Sequence, residues 1–366
     1  MVRLIFGAFI AAALVSVIYL LTRVRKFRVV RKLSGGNRLL SWLLAAIPVA
    51  ALIFYAVKDT VNGVIVLIHL LVFWLLAELL GVIIRKATGK KWDFYLEGVV
   101  AVLVSVIYLS AGWYLAHHVV ETDYQISTQK DLGTDSLRIV QISDSHMGCT
   151  FDGEGFARHM ETVQRTDPDL VVVTGDYVDD DSTKEDMIRA TQALGELDTT
   201  YGVYWIFGNH DRGYFGYRNY TEPELLEELK KNNVHVMIDD KVMITDGICL
   251  IGREDRSIRS RKSMQELMDG IDPSVYTIVL DHQPHDFEAQ KEAGVDLVLC
   301  GHTHGGQMFP VGLLGEWSGA NDKTYGLEVR DGTTYIVNSG ISDWAIRFKT
   351  ATIAEFGVID LSATQA

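Results

Sequence analysis

Residues 296–307 read DLVLCGHTHGGQ, and the function of the chain is best approached from this stretch. An apolar run ends at Cys300 and gives way at once to a glycine-bordered turn that carries His302 and His304. Residues i and i+2 of an extended chain project to the same side, so both imidazoles can reach one metal centre or two adjacent ones. A buried strand that ends in two histidines therefore predicts a metal site at its carboxyl end.

Four other apolar runs also end in residue types that bind metals. The residues at these ends are Asp144 and His146, Asp176, Asn209 with His210 and Asp211, and Asp281 with His282. Open α/β folds bind ligands at the carboxyl ends of their strands, and neighbouring strands lie only about 4.8 Å apart. The five ends can therefore converge on one site. Mixed oxygen and nitrogen ligands favour Mn, Fe or Zn, and a pair of such ions suits displacement at phosphorus.

Each motif also has an ordinary structural explanation when it is taken alone. Asp-x-His is commonly a polar turn, and GNHD fits a turn because Asn and Gly tolerate left-handed backbone. DHQPH could simply cap the helix that follows it. Their occurrence together, each directly after an apolar run, is what favours one shared metal site.

The last two thirds of the chain have the pattern of an α/β domain. From about residue 137 onward, short β-branched runs alternate with amphipathic stretches. Continuous apolar strands indicate sheets that are covered on both faces, and the alternation with helices indicates a largely βα-built core. Residues 120–136 are polar and predict a short tether in front of this domain.

The first third predicts a membrane domain. Four apolar runs lie at 4–21, 39–57, 61–84 and 96–116, and each is about the ~20 residues that cross a bilayer as a helix. The first run could be a signal peptide, but it lacks a clear cleavage site and the basic stretch RVRKFRVVRK follows it. Glu78 lies inside the third run, where a packed or interfacial role is favoured over transport. We expect a multi-pass protein with a membrane domain over 1–119, a tether over 120–136 and a catalytic domain over 137–366.

Charge is divided unevenly between these parts. Residues 1–120 hold 13 basic and 4 acidic residues, a net +9, whereas residues 121–366 hold 21 and 43, a net −22. So acidic a domain is a poor host for nucleic acid. The first and third loops carry seven and four basic residues and the second carries one. The positive-inside rule therefore predicts that the catalytic domain is extracytoplasmic.

The ordered motifs DSH, GD, GNHD, H and GHTH resemble those of the calcineurin-like metallophosphoesterases. The resemblance covers about residues 135–360. ISDSHMG with GHTHGGQ is similar to the membrane-associated bacterial branch, which includes phosphoesterases acting on lipid or cell-envelope substrates. Ser145 stands where that branch usually has Leu, at a position that is not a ligand. The resemblance implies a four-layer α/β/β/α sandwich, preceded here by the four predicted transmembrane helices.

Carried over by position, the resemblance also implies two divalent metal ions, Mn, Fe or Zn. The first would be held by Asp144, His146, Asp176 and His304, and the second by Asp176, Asn209, His282 and His302. Asp176 would bridge the two ions. His210 would contact the phosphoryl oxygen and assist the leaving group, and Asp211 would orient His210.

These expectations describe a membrane-anchored dinuclear-metal phosphoesterase whose partners are the lipid bilayer and a phosphoester substrate, possibly from a lipid or the cell envelope. Two alternatives stay open. One is a pyrophosphohydrolase of a nucleotide-activated lipid, which the predicted outside topology disfavours because such precursors are cytoplasmic. The other is a non-catalytic scaffold or sensor, which the complete ligand set disfavours. A transporter would need more intramembrane polar residues than the four runs contain.

Overall fold

The computed structural model describes residues 2–89, 92, 94–214 and 216–364. The chain divides into two compact units, Met1–Gly112 and Trp113–Ala366. The first is built from helices alone in its described part, and the second combines helices with two β-sheets.

The described part of the helical unit contains long apolar helices and one short helix. Its helices are α1 (Val2–Val24), α2 (Arg28–Ser34), α3 (Arg38–Lys58), α4 (Thr60–Thr88) and α5 (Leu96–His117), of which the last turn belongs to the second unit. All except α2 are long and apolar enough to cross a membrane. Asn37 and Asp59 cap α3 and α4 by accepting hydrogen bonds from backbone N–H groups. The short α2 lies in the basic first loop and was not predicted.

Glu78 of α4 lies in a polar cluster within this unit. Its carboxylate is 2.9 Å from Arg23 Nε and 2.9 Å from Lys26 Nζ. The Tyr19 hydroxyl donates to Glu78 Oε2 over 2.9 Å, and Tyr95 donates to Glu78 Oε1. A carboxylate with this many partners is satisfied where it stands, which agrees with the packed role favoured from the sequence.

Two six-stranded sheets form the second unit. Their strands are β1 (Val120–Thr128), β2 (Ser136–Ile142), β3 (Leu170–Val173), β4 (Val203–Ile206), β5 (Val234–Met237), β6 (Asp240–Thr245), β7 (Ile248–Gly252), β8 (Tyr276–Leu280), β9 (Leu297–Cys300), β10 (Gly326–Arg330), β11 (Thr333–Val337) and β12 (Glu355–Ala363). The first sheet has the order β1-β12-β2-β3-β4-β5, and the second has the order β10-β11-β9-β8-β7-β6. The helices of this unit are α6 (Gly153–Gln164), α7 (Lys184–Gly195), α8 (Glu222–Lys231), α9 (Met264–Met268), α10 (Phe287–Glu292) and α11 (Val311–Trp317).

The apolar side chains of the strands alternate between two faces and so build four layers. In β2, Ile139 packs into the cluster between the two sheets, whereas Val140 packs into the cluster that contains residues of α6, α7 and α8. In β9, Leu299 faces the space between the sheets and Cys300 packs with residues of α9 and α10. The predicted four-layer α/β/β/α sandwich is confirmed.

The stretch predicted as a tether is different in the structure. Residues 120–128 form β1, which pairs in parallel with β12 from Val120 opposite Glu355 to Thr128 opposite Ala363. Only two residues separate α5 from this strand. The polar composition that suggested a tether is that of an edge strand, whose side chains are mostly exposed or half-buried. Three further strands, β5, β6 and β10, and the helix α11 were also missed.

The parallel arrangement of the central strands places their carboxyl ends at common edges. β2, β3 and β4 run parallel in the first sheet, and β8 and β9 run parallel in the second. The predicted site residues come one to five residues after these five ends. The fold therefore delivers all of them to one region of the sandwich.

Candidate metal centre

The backbone of the site is strained where the predicted ligands lie. Asp144, His146, Asp176, His302 and His304 all have positive φ, between 33° and 72°. Left-handed backbone is uncommon for residues other than glycine, and such strain concentrates at functional sites. The chain therefore turns sharply after β2, β3 and β9, which aims these polar side chains inward.

The first group of ligand atoms comes from β2 and β9. Asp144, His146 and His304 each offer an atom within 4.8 Å of the others. Asp144 Oδ1 lies 3.9 Å from His146 Nε2 and 3.7 Å from His304 Nε2. These separations are longer than hydrogen bonds and leave room for one ion between three ligands.

The second group comes from β3, β8 and β9. Asp176, His282 and His302 also offer atoms within 4.8 Å of one another. Asp176 Oδ2 lies 3.1 Å from His282 Nε2 and 3.4 Å from His146 Nε2 of the first group. One carboxylate oxygen therefore lies beside both groups, which is the position expected of a bridging ligand.

Three histidines are oriented through their other ring nitrogen. His282 Nδ1 is 2.8 Å from Thr174 O, His146 Nδ1 is 3.2 Å from Asp179 Oδ2, and His304 Nδ1 is 3.4 Å from Ser342 O. With a metal bound, the proton of each ring would lie on Nδ1, where an oxygen accepts it. The lone pair of each Nε2 then faces the cluster, as in histidines that bind metals.

Several polar atoms at the centre are buried without a hydrogen-bond partner among the described residues. They include His146 Nε2, His282 Nε2 and Asn209 Oδ1. Asn209 lies beside the shared carboxylate, because the N–H of the next residue, His210, donates to Asp176 Oδ1 over 2.8 Å. Buried polar groups are otherwise almost always satisfied. These three atoms belong to residues that the sequence assigns to metals, so the residues fit such ions.

Two glycines let the ligands approach closely. A Cβ on Gly208 would lie 2.2 Å from Asp176 Oδ1, and a Cβ on Gly301 would lie 2.3 Å from Asp144 Oδ2. Any side chain there would push the carboxylates out of position. The turns GNHD and GHTH therefore require glycine for packing against the site.

Burial and charge divide the imidazoles into two sets. Burial lowers the pKa of His302 to about 3 and lowers that of His304 as well, so both are neutral and able to ligate. Burial also acts to lower the pKa of His146, but Asp176 and Asp179 outweigh it and raise this pKa to about 10. Clustered buried carboxylates thus favour positive charge at the centre, which divalent cations supply when they are bound.

His210 has a different partner from the one predicted. Its Nδ1 lies 3.0 Å from Asp179 Oδ1, so Asp179 and not Asp211 orients the ring. Asp211 instead accepts N–H donors from the backbone of Asp176, Tyr177, Val178 and Gly208, over 2.7 to 3.0 Å. The prediction for Asp211 was wrong because sequence adjacency to His210 does not fix where a carboxylate points. Asp211 stabilises the turn that carries Asp176.

Sequence reasoning also missed a buried ion pair near His304. Lys349 and Asp343 are fully buried, with Nζ 3.1 Å from Oδ1, and Asp343 Oδ1 is 3.6 Å from His304 Nδ1. Lys349 Nζ also donates to Ser339 O over 2.6 Å. Burial raises the pKa of Asp343 to about 6, and Lys349 opposes that rise. Asp343 and Lys349 lie in a loop outside the regular strands and helices, so no sequence periodicity indicates the ion pair.

Comparison with known proteins identifies the family. The family model "Calcineurin-like phosphoesterase" matches residues 137–306. An "uncharacterized metallophosphoesterase" of Aquifex aeolicus is 30% identical over 194 residues, which are 52% of this chain and 71% of that protein. The chain belongs to the calcineurin-like phosphoesterases.

Two further relatives place this calcineurin-like phosphoesterase among similar proteins. An "uncharacterized metallophosphoesterase" of Helicobacter pylori strain J99 is 32% identical over 231 residues, 62% of this chain and 60% of that protein. A Danio rerio protein named "Transmembrane protein with metallophosphoesterase domain" is 31% identical over 192 residues, 49% of this chain and 42% of that protein. The chain thus spans about three fifths of the length of the first of these and less of the second.

Proposed function

We propose that the chain is a membrane-anchored phosphoesterase with two divalent metal ions, acting on a lipid or cell-envelope phosphoester at the extracytoplasmic face. The observation that carries the proposal is the shared carboxylate. Asp176 Oδ2 lies 3.1 Å from His282 Nε2 and 3.4 Å from His146 Nε2, beside both ligand groups. A single metal would not need one oxygen between two sets of imidazoles.

The donor set supports the predicted division of ligands. Asp144, His146, Asp176 and His304 would hold one ion, and Asp176, Asn209, His282 and His302 would hold the other. When bound, two such ions polarise a phosphoryl group and lower the pKa of water. Mixed carboxylate, amide and imidazole ligands favour Mn, Fe or Zn.

His210 is the residue placed to move a proton. Asp179 holds its Nδ1, which leaves Nε2 free to face a phosphoester. Its ring contacts two aromatic side chains, with ring centres 4.7 Å away at Tyr214 and 5.2 Å away at Trp344. A ring held in this way can donate to the oxygen of the leaving group and bind a phosphoryl oxygen.

The membrane part of the proposal rests on the helices and on loop charge. Four helices are long and apolar enough to span a bilayer. The basic residues of the first and third loops, eleven against one in the second, favour those loops in the cytoplasm. α5 then leads outward into the catalytic unit. A catalytic unit held on the extracytoplasmic side could reach a phosphoester in the outer leaflet or the cell envelope.

Metal-dependent hydrolysis is the first expected result. The full-length chain in detergent should cleave an aryl phosphate or an aryl phosphodiester when Mn, Fe or Zn is supplied, because the ligand set is complete. A chelator should abolish turnover, and re-addition of one of these metals should restore it. A folded, metal-loaded chain that is inert on every phosphoester tried would favour the scaffold alternative.

Topology gives the second expected result. Asp135 is exposed between β1 and β2, so a cysteine placed there should react with a membrane-impermeant thiol reagent on intact cells. The background is Cys149→Ser, because Cys249 and Cys300 are buried. Arg28→Cys, in the first loop, is the matched control and should react only after lysis. The reverse pattern would place the domain in the cytoplasm and would favour the nucleotide-lipid pyrophosphohydrolase.

A further inference from the structure

An exposed apolar surface follows the turn that carries His302 and His304. Five large apolar side chains within nine residues are between 54% and 87% exposed, namely Phe309, Val311, Leu313, Leu314 and Trp317. Helix α11, which contributes four of them, has no buried residue. No other nine-residue segment in the described part of the second unit exposes as many. We call these five residues the apolar surface.

This apolar surface carries no free charge of its own. Residues 308–321 contain one charged residue, Glu316, within a domain of net charge −22. Glu316 Oε1 accepts the Thr324 N–H over 2.7 Å, so that carboxylate turns back toward its own domain. A contiguous exposed apolar surface on a soluble domain marks a site of interaction. The occupant must be apolar and must not require charged contacts.

The apolar surface borders the metal centre. A Cβ on Gly306 would lie 2.6 Å from Gly312 Cα, so the histidine turn packs directly on the first turn of α11. Gln307 Nε2 donates to Trp344 O over 3.2 Å, and the ring of Trp344 lies 5.2 Å from that of His210. An occupant of the apolar surface would therefore have its polar end close to the proposed reaction site.

A lipid bilayer is the occupant that the chain itself favours. Four helices suited to spanning a membrane precede the catalytic unit, and only two residues separate α5 from β1. Trp and Leu are typical of the apolar face of helices that lie in the membrane interface. A second copy would bring two domains of charge −22 together, which repulsion opposes.

We infer that the apolar surface enters the bilayer interface and presents the phosphate of a membrane lipid to the metal centre. The inference rests on the proposed function and adds to it the class of substrate: a lipid phosphate taken from the bilayer with its acyl chains still in the membrane. The acidic remainder of the domain is repelled by anionic headgroups. The apolar surface is then the part that can make the contact.

Direct insertion is the first test and does not depend on activity. Full-length Leu313→Cys in the Cys149→Ser background would carry an environment-sensitive fluorophore in vesicles that contain acyl-chain spin-labelled lipid. We expect a blue shift and strong quenching. The same label at Val329→Cys, which is 60% exposed on β10, is the control and should be quenched weakly. Equal quenching at both positions, or a blue shift without quenching as in contact with a second copy, would overturn the inference.

Activity on paired substrates is the second test. The Leu313→Glu/Leu314→Glu/Trp317→Glu variant should lose at least tenfold in turnover of a diacylglycerol phosphate in vesicles, while turnover of a soluble aryl phosphate changes less than twofold. Met243→Glu with Val329→Glu, both exposed on other elements, should leave both activities unchanged. A wild type that hydrolyses neither substrate would refute the proposed function alone, because the quenching test would still measure whether the apolar surface enters the bilayer. Equal activity of the wild type and the triple variant on the lipid would refute the inference alone.

Discussion

Asp176→Asn should strip the protein of metal and of nearly all activity. The carboxylate lies beside both ligand groups, with Oδ2 3.1 Å from His282 Nε2 and 3.4 Å from His146 Nε2. An amide has only one ligating oxygen and no charge, so it cannot bridge two cations equally well. Removal of a residue that hydrogen-bonds to a metal ligand typically costs about 10- to 100-fold in metal affinity or activity. Loss of a ligand shared by two ions should exceed about 100-fold. Metal analysis of the purified chain and aryl phosphate turnover measure the two effects.

Asn209→Ala is the matched comparison for this substitution. In the proposed division of ligands, Asn209 would offer one neutral oxygen to one ion, so its removal should leave a larger share of the metal in place than Asp176→Asn does. Circular dichroism should show that both variants are folded. If Asp176→Asn retains two metals per chain with the affinity of the wild type, the bridging assignment is wrong and the ligands must be divided differently.

The placement of the ligands could be predicted because it depends on strand direction. Parallel strands carry their carboxyl ends to one edge, and an apolar run marks its own end where polar residues begin. Asp144, Asp176 and His302 each follow such an end by two or three residues. The apolar runs therefore located the strands and the ligand types together, without knowledge of the sheet order.

The partners of the ligands could not be predicted, because they depend on where short loops turn. Asp179, Asp180 and Asp181 follow one another in the sequence, and nothing in that run distinguishes the one that reaches His146 and His210. Asp211 stands next to His210 in the chain but points to four backbone N–H groups. Side-chain direction in irregular backbone is a tertiary property.

β1 and α11 were missed for a related reason. An edge strand exposes much of its surface, so β1 has the polar composition of a linker. α11 has no buried residue, and so its apolar residues do not follow the one-sided pattern of a helix that packs on a core. The structure of β1 and α11 therefore depends on their neighbours in the fold, and their own sequence periodicity does not indicate it.

His210→Ala should lower turnover by about 10²- to 10⁴-fold, the usual range for loss of a general acid or base. Both metals should stay bound, because neither ring nitrogen of His210 is assigned to a metal. Asp179 holds Nδ1, and Nε2 is assigned to the substrate. Metal analysis of the variant separates this result from that of Asp176→Asn. A variant that loses metal in parallel with activity would show that His210 acts as a ligand.

The dependence of the loss on the leaving group distinguishes between a general-acid role for His210 and stabilisation of the phosphoryl group. A nitrophenolate departs without a proton, so a general acid contributes little to its release, whereas an alkoxide needs one. The loss caused by His210→Ala should therefore be larger for alkyl than for nitrophenyl phosphoesters. Asp179 is a positioning residue, since its two oxygens lie 3.0 Å from His210 Nδ1 and 3.2 Å from His146 Nδ1. Asp179→Asn at saturating metal should show the same dependence on the leaving group in weaker form, and Asp211→Asn should not. An equal loss for both kinds of ester would mean that His210 stabilises the phosphoryl group and donates no proton.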